Sequence, residues 1–565
     1  MLEHSIFISY LIIFLLSNIG YGYLFSIIFF KNFKSLNFGE LGILGFFTIV
    51  LISLSTSYIY PHNFTHNILI HLIGVAFFIK NFFNQIEKNK DELKNIFYIF
   101  LILLSGIYVF KNHDDFPYYH LTYALNLSNH SFIIGTGALG HGFRTMSSLF
   151  YYHSTLYLPY IKFYLFHSGP FFILIFFNYI ILKKISEKFI NKKNDIVYFF
   201  SLLSFIFINV AFYRIGEHGT DRTGQVLLIL AFIYFLEIFF IEKKLDNKLI
   251  LFNYLLILIF LAASTKVLYI IYLILIPFII FKSNFYKEYK IKKNLKIIFV
   301  LIFSFTLNIS VSFFSTGCLV YPEEKTCFSE NLEWSVDREE VKIMKTHYEW
   351  WSKAGGGPGY ASEIKKDEYI KNFTWLKNWI DRHFFNKVLD TLLGIIFISL
   401  LTFLFFFSKK KKKFESKRRT WPVYLIIFIL LTEWFLGHPS MRYGGYILFA
   451  LLIFLFSSKI IETFEISSKK LHFSSIFLIL LTFLIFNVRN ISRLNTEING
   501  YGYDLLRSPF FFVKDVKFEI LDENNLFKLY KTSDGDMCWA TPTPCTHRDS
   551  LKVINLKGFK AILKE

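Results

Sequence analysis

Apolar residues recur along the chain in long blocks, separated by short polar segments. A block of about 15–25 residues crosses the roughly 30 Å hydrocarbon core as an α-helix, whereas barrel strands show ten-residue alternation. The pattern therefore predicts an all-α integral membrane protein with about fourteen transmembrane helices. The predicted spans are residues 5–30, 39–60, 66–83, 95–110, 170–184, 196–213, 224–241, 249–263, 267–281, 297–315, 387–408, 421–437, 444–458 and 472–488.

Lysine and arginine are distributed unevenly between alternate loops of this layout. Seven loops hold 31 of them, whereas the short loops between hold four: Arg214, Arg222, Lys266 and Arg442. Cytoplasmic loops carry the excess of positive charge in membrane proteins. The N-terminus, the long loops and the C-terminus are therefore expected outside, and the protein is expected in the bacterial inner membrane with these parts in the periplasm.

Composition supports a membrane protein and argues against a nucleic-acid-binding protein. The chain has 565 residues, of which 54% are hydrophobic and only 18% charged, less charge than a soluble chain of this length carries. The net charge of +19 lies in short loops between apolar blocks, so membrane topology and membrane lipids explain it better than nucleic acid.

The hydropathy pattern predicts three parts. Residues 1–94 form N-terminal transmembrane helices, and residues 95–488 form the transmembrane core with two large outer loops, 111–169 and 316–386. Residues 489–565 are hydrophilic enough for a small outer domain of mixed α/β character, with short strands expected at 518–520 and 551–563.

The four cysteines all fall in the expected outer segments, in two close pairs. Cys318 and Cys327 flank one short polar segment, and Cys538 and Cys545 flank another. This placement predicts two local disulfides in an oxidising compartment. The alternatives are free thiols or a four-cysteine metal site, but the spacing is not CxxC.

An aspartate pair, Asp114 and Asp115, follows the fourth predicted span directly and is flanked by His113 and His120. Ionisable groups at the membrane interface are costly and are functional candidates for that reason. A partly hydrated carboxylate there can act as a general base. The alternative is that Asp115 caps a helix running through Leu127.

Two further outer segments gather polar residues. His141 and Arg144 end a glycine-rich loop that can hold a phosphate or sugar oxygens, although a plain turn is equally compatible. A short turn concentrates five ionisable residues, which form either a binding site or a self-paired network: Arg214, Glu217, His218, Asp221 and Arg222.

The last two candidates lie beside late predicted spans. Lys266 stands alone between two apolar helices, where it either extends its amine to water or meets a lipid phosphate. A later turn carries four residues suited to a phosphate head group, with Glu433 paired to Arg442 as the structural alternative. They are Glu433, His438, Arg442 and Tyr443.

An early outer loop that begins with an aspartate pair after a transmembrane helix resembles the GT-C superfamily of membrane glycosyltransferases. Protein O-mannosyltransferases and aminoarabinose transferases are members. The resemblance implies a general base at Asp114 or Asp115, a polyprenyl-phosphate sugar as donor, and a glycan, lipid or protein acceptor. Its expected phosphate ligands are Arg214, Arg222, Lys266 and Arg442. Some members use a divalent cation at the acidic motif, so the resemblance allows a divalent cation as cofactor here. No other cofactor or metal is expected.

The resemblance is to the layout of residues 95–460, and the chain departs from it because the aspartate pair follows the fourth span instead of the first. The rival enzyme class is an O-antigen-type polymerase or ligase, which does not need the aspartate pair. A lipid or solute transporter ranks lower, because no internal repeat is evident and the charges gather at one interface. A structural scaffold ranks last.

Overall fold

The computed structural model describes most of the chain. The described residues are 2–30, 36–108, 115–190, 194–217, 219–241, 244–282, 291–412, 419–502, 504–533 and 537–565. Helix accounts for 69% of the structure. The α-helices are, in chain order, Leu2–Phe29 (α1), Phe38–Thr56 (α2), Phe64–Asn84 (α3), Ile86–Leu103 (α4), Ser105–Tyr108 (α5), Leu121–Asn129 (α6), Ser148–Ser154 (α7), Gly169–Ile190 (α8), Ile196–Ala211 (α9), Gly219–Phe240 (α10), Leu245–Thr265 (α11), Leu275–Lys282 (α12), Ile291–Thr316 (α13), Arg338–Ser352 (α14), Lys366–Tyr369 (α15), Leu376–Trp379 (α16), Leu389–Phe406 (α17), Trp421–Gly437 (α18), Gly445–Glu462 (α19) and Ser468–Tyr501 (α20).

Shorter helical turns and short strands connect these helices. Two π-helical segments are Phe116–His120 and Ile380–Val388. The 3₁₀ turns are Thr136–Ala138, His141–Arg144, Val267–Ile274, Glu324–Thr326 and Met441–Tyr443. The strands are Gly356–Gly357 (β1), Tyr360–Ala361 (β2), Phe518–Glu523 (β3), Lys528–Thr532 (β4), Cys545–Thr546 (β5), Leu551–Leu556 (β6) and Phe559–Lys564 (β7).

Within the described ranges, ten helical segments are long and apolar enough to cross a membrane, so the chain is a multi-pass membrane protein. They are α1, α2, α3, α8, α10, α11, Asn294–Thr316 of α13, the run Leu376–Phe406 that ends with α17, α19 and α20. Three apolar helices are shorter: Ile196–Ala211, Val267–Phe281 and Trp421–Gly437. The fourth predicted span, 95–110, belongs to neither group, because α4 begins at Ile86 and its first half is charged. The exact number of fourteen therefore stays a prediction.

Helix α10 lies in the middle of the bundle and carries charge at both ends. It packs against α8, α9, α11 and α19, and about nine tenths of the residues in its most apolar stretch are buried. Asp221 lies in its first turn and Glu237 near its last, sixteen residues or about 24 Å apart. At the Glu237 end, Lys184 donates to Glu237 at 2.6 Å and Lys183 pairs with Glu92. The Asp221 end carries the candidate site.

The C-terminal segment is tied to the first outer loop by backbone pairing. β3, β4 and β5 form one small sheet, antiparallel then parallel, and β6 and β7 form a hairpin in register from Leu551–Lys564 to Leu556–Phe559. The Ile562 N–H donates to the Ile134 carbonyl at 2.9 Å. Strands thus occur at both places where the sequence predicts them.

The two predicted disulfides, Cys318–Cys327 and Cys538–Cys545, are both confirmed. Each closes a loop of fewer than a dozen residues, and no cysteine is free in the described parts of the chain. Short closed loops of this kind restrict the unfolded chain more than they shape the fold, and each contributes about 2–3 kcal/mol.

Candidate functional site

Two carboxylates and two cations meet at the Asp221 end of α10; we call Asp115, Asp221, Lys266 and Arg442 the charged cluster. Arg442 Nε donates to Asp221 Oδ2 at 2.7 Å, and Arg442 Nη2 lies 3.4 Å from Asp115 Oδ2. Lys266 Nζ pairs with the other oxygen of Asp221. Four of the five polar groups singled out in the sequence therefore contribute to one network.

Asp221 is the buried centre of the network. Its side chain is only 6% exposed, and both carboxylate oxygens are occupied by cations. The first turn of a helix favours a carboxylate, because the helix N-terminus carries partial positive charge. The Tyr269 hydroxyl donates to the Asp221 carbonyl at 3.0 Å, and Gly224 leaves room for that ring, since an added Cβ would lie 2.3 Å from it.

Lys266 occupies a break between two helices. α11 ends at Thr265, and Lys266 has extended backbone angles before the chain re-enters a 3₁₀ turn. The amine lies 4.0 Å from the centre of the Tyr443 ring, a cation–π contact. Burial lowers the pKa of Lys266 to about 8; Asp221 opposes this effect, and the Arg442 charge adds to it.

Arg442 is held by a tight turn between α18 and α19. Gly444 has φ of 108°, a left-handed conformation that favours glycine, and it starts α19 directly after the turn. The Gln225 side chain donates to the Arg442 carbonyl at 3.1 Å, so α10 fixes this turn as well as the guanidinium. Asp221 and, more weakly, Asp115 raise the pKa of Arg442 well above its usual range, so its charge is permanent.

Asp115 precedes the helical segment Phe116–His120 but does not cap it. Its backbone is in the helical region, and its side chain makes no capping hydrogen bond. The carboxylate faces Arg442 instead. The helix that the sequence predicts through Leu127 is present and Asp115 stands at its N-terminus, but the expected capping hydrogen bond of the Asp115 side chain is absent.

The exposures separate a buried anchor from a reachable pair. The Asp115 side chain is 28% exposed and that of Arg442 44%, compared with 6% for Asp221. A ligand at the exposed side of the cluster thus meets one carboxylate and one guanidinium, while Lys266, 23% exposed, pairs with the other oxygen of Asp221. The four charges sum to zero, so an anion that binds Arg442 competes with Asp115, the more exposed of its two carboxylate partners.

Helix α14 and the chain that follows it are anchored at two points. Near its start, Glu340 accepts from Arg144 at 2.7 Å. After its end, the chain folds back so that Trp379 Nε1 donates to the Pro439 carbonyl at 2.6 Å, in the turn that carries Arg442. The second outer loop is therefore fixed to both the first loop and the Arg442 turn.

Arg144 and the 214–217 turn have structural partners. Arg144 is 1% exposed, and Glu340 also receives Arg548 at 3.5 Å and Lys564 at 3.8 Å, which joins both outer loops to the C-terminal segment. Arg214 pairs with Glu217. This part of the turn is the self-paired network that the sequence left open.

Three other candidate residues, Arg222, His120 and His438, contact residues that are not members of the charged cluster. Arg222 donates to the Arg214 carbonyl at 3.2 Å, and the His120 ring lies 5.0 Å from Phe150. His438 contacts the edge of Tyr443, with ring centres 5.9 Å apart, and burial lowers the pKa of His438.

Glu433 lies one turn before His438, in the last turn of α18. Arg442 pairs with Asp221 and Asp115, so the alternative pairing of Glu433 with Arg442 is wrong.

Three candidates, His113, Asp114 and His218, lie outside the described residues. Where the chain is described, no three His, Cys, Asp or Glu side chains converge as metal ligands. The carboxylates of Asp115 and Asp221 face cations instead. Because both carboxylates are paired with cations, they do not fit a divalent ion.

Sequence reasoning missed Tyr269, Gln225 and Glu340. Tyr269 and Gln225 lie inside apolar runs, and nothing local distinguishes them from core residues. Glu340 belongs to a charged helix in which the residues just before it are exposed. Only the tertiary fold brings these residues to the site.

Comparison with known proteins assigns the chain to a family. No curated protein and no solved structure matches the chain. Residues 4–449, which include the whole charged cluster, match the family described as Domain of unknown function (DUF8201). The chain therefore belongs to that family.

Proposed function

We propose that this protein is a membrane glycosyltransferase of the inverting type, which moves a sugar from a polyprenyl-phosphate donor to an acceptor hydroxyl. The observation that carries the proposal is the contact between Asp115 and Arg442 at the rim of the charged cluster. It joins a reachable carboxylate to a permanent cation at the end of a membrane-spanning helix, where a lipid-borne phosphate arrives.

The two cations suit the donor phosphate. A guanidinium binds phosphate through two parallel N–H groups, and an amine behind it adds a point charge. Asp221 holds both cations in place before the donor binds: Lys266 on one oxygen and Arg442 on the other. Such preorganisation stabilises negative charge that develops on a leaving phosphate without further rearrangement.

Asp115 suits the general base. In the proposed step it takes the proton of the acceptor hydroxyl while the acceptor oxygen bonds to the anomeric carbon of the sugar. The bond from that carbon to the phosphate oxygen breaks, and polyprenyl phosphate leaves with the electron pair. Asp114 remains the second candidate, and separate substitutions distinguish the two.

The proposal extends to topology and location. The charged cluster is placed on the outer face of the membrane, and the Glu237 end of α10 faces the cytoplasm together with the cation-rich loops. Fourteen spans, with the long loops and the C-terminal segment outside, satisfy this arrangement. The direct test is sugar transfer by purified protein in liposomes, with Asp115→Asn expected to reduce turnover by about 10²–10⁴-fold.

A further inference from the structure

The C-terminal segment is held against the loop that carries Asp115 at two points. The backbone N–H of Trp539 donates to the Pro117 carbonyl at 2.9 Å, and the Thr546 hydroxyl donates to the Leu139 carbonyl at 2.9 Å. The Cys538–Cys545 disulfide joins the residues directly before these two donors. A closed loop, clamped at both ends, thus lies beside the residues that follow Asp115.

Three rings converge where this closed loop meets the first outer loop; we call Tyr118, His141 and His547 the ring cluster. The Tyr118 ring centre lies 5.1 Å from that of His141 and 5.7 Å from that of His547. The Tyr118 hydroxyl and His141 Nδ1 share a hydrogen bond of 3.1 Å. The rings come from three separate parts of the chain, and His141 is exposed while the other two are half-buried.

A glycine keeps the space between these rings open. A Cβ added at Gly140 would lie 2.8 Å from the Tyr118 hydroxyl oxygen and 3.5 Å from His547 Cε1. Any other residue at this position would therefore press on the polar tip of one ring and lie against the edge of another.

The ring cluster lies next to the proposed base. Tyr118 follows Asp115 by less than one helical turn, in the helical segment that begins directly after Asp115. Partial desolvation of the ring lowers the pKa of His141, and the charge of Asp115 opposes this effect.

We propose that Tyr118, His141 and His547 form the acceptor subsite, and that the acceptor is a saccharide. This inference rests on the proposed function, because it places the acceptor beside the base. A sugar ring presents a C–H face that packs on an aromatic ring and hydroxyls at its edge. Phenol and imidazole groups both donate and accept hydrogen bonds, so they satisfy such hydroxyls in either orientation. A lipid acceptor would instead require a groove lined by aliphatic side chains.

The test measures saccharide binding without catalysis. Full-length protein in nanodiscs is applied to an array of defined soluble oligosaccharides, with peptide spots and lipid-vesicle spots on the same surface. Wild type is expected to bind saccharide spots, and His547→Ala and Tyr118→Phe to bind them at least about tenfold more weakly. His547→Asn, which keeps hydrogen-bonding groups, should restore part of the binding. Ser550→Ala, at an exposed position three residues after His547, is the matched control and should bind as wild type.

Two checks keep the result interpretable. Formation of the Cys538–Cys545 bridge in each variant shows that the closed loop is intact. Binding of polyprenyl phosphate should be unchanged in His547→Ala, since that residue is absent from the charged cluster.

The inference is overturned if wild type binds only peptides, only vesicles or no probe at all. It is equally overturned if the ring-cluster variants bind saccharides as wild type does. Saccharide binding that depends on the ring cluster, together with no sugar transfer by wild type from a polyprenyl-phosphate sugar, would instead contradict the proposed function alone.

Discussion

Replacing Asp115 by Asn should strengthen donor binding while it removes transfer. In the proposed mechanism Asp115 and the donor phosphate compete for the same guanidinium, because Arg442 Nη2 already faces Asp115 Oδ2 at 3.4 Å. An amide keeps the shape of the carboxylate but carries no charge. The variant therefore frees Arg442 for the phosphate and removes a repulsion between two anions.

The expected gain is modest and can be derived from the geometry. Two unit charges 3.4 Å apart in water attract by about 1.2 kcal/mol, and exposed ion pairs contribute about 0.2–1 kcal/mol in measurements. Because Arg442 is 44% exposed, the range measured for exposed ion pairs applies. A gain of up to about 1 kcal/mol corresponds to donor binding at most roughly fivefold tighter.

The assay is binding of a synthetic polyprenyl phosphate to the protein in nanodiscs, followed by native mass spectrometry or thermophoresis at fixed ionic strength. Glu433→Gln is the matched control, because it neutralises a carboxylate near the same turn without touching Arg442. Its affinity should equal that of wild type. Weaker binding in Asp115→Asn would refute the competition and show that Asp115 organises the phosphate site instead.

Four further predictions follow from the same contacts. Arg442→Ala should weaken polyprenyl-phosphate binding by about 10–150-fold, since a charge-assisted pair contributes about 1.5–3 kcal/mol. Arg442→Lys should recover only part of the lost affinity, and an unchanged dissociation constant in Arg442→Ala would remove Arg442 from the donor site. Donor affinity should fall as pH rises through about 8, because Lys266 loses its proton there in the free site and bound phosphate favours the charged form. Lys266→Arg should abolish this pH dependence of donor affinity, and a pH dependence that persists would assign it to another group. A non-reducing peptide map should contain both disulfide bridges. Loss of the Cys538–Cys545 bridge in Cys545→Ser should lower the free energy of unfolding by about 2–3 kcal/mol in a denaturant titration, and an unchanged midpoint of that titration would contradict the clamped loop. Reporters fused after Lys94, Lys193, Lys296 and Arg419 should be cytoplasmic and those after Ser168, Asn386 and Glu565 outside; a cytoplasmic C-terminus would reverse the assignment of the faces.

Local sequence patterns predict the parts of this protein that depend on local physics. Hydropathy locates the membrane helices, because a span needs an apolar block of fixed length. The cysteine pairs are readable because each lies within a short segment. The strands at 518–523 and 551–564 follow from short apolar alternation between turn residues.

The contacts that make the site are not local. Arg442 and Asp221 are 221 positions apart, and Arg442 and Asp115 are 327 apart, so no pattern in either segment indicates the pairing. The sequence could nominate each residue, since an ionisable group at the interface is unusual. It could not tell that Arg214 pairs with its own neighbour Glu217 while Asp221, in the same turn, pairs with Lys266 and Arg442.

Charges inside the predicted spans are the other omission. Hydropathy places Lys183 and Lys184 at the end of one span and Glu237 in the interior of another, and it suggests no partner for any of them. In the structure the two lysines meet Glu92 and Glu237 at the end of α10 opposite the site. Buried charges of this kind persist when each finds a partner, and the partner comes from a different helix.

Transfer by purified protein tests the central claim most directly. The measurement is movement of a labelled sugar from a synthetic polyprenyl-phosphate sugar to an envelope glycan extract in proteoliposomes, with released polyprenyl phosphate counted in parallel. Wild type should transfer sugar and release one polyprenyl phosphate for each sugar moved, and Asp115→Asn should lose about 10²–10⁴-fold of that rate while still binding the lipid phosphate. Full transfer by the double variant Asp114→Asn, Asp115→Asn, correctly inserted in the membrane, would contradict a carboxylate base in this loop and with it the glycosyltransferase mechanism.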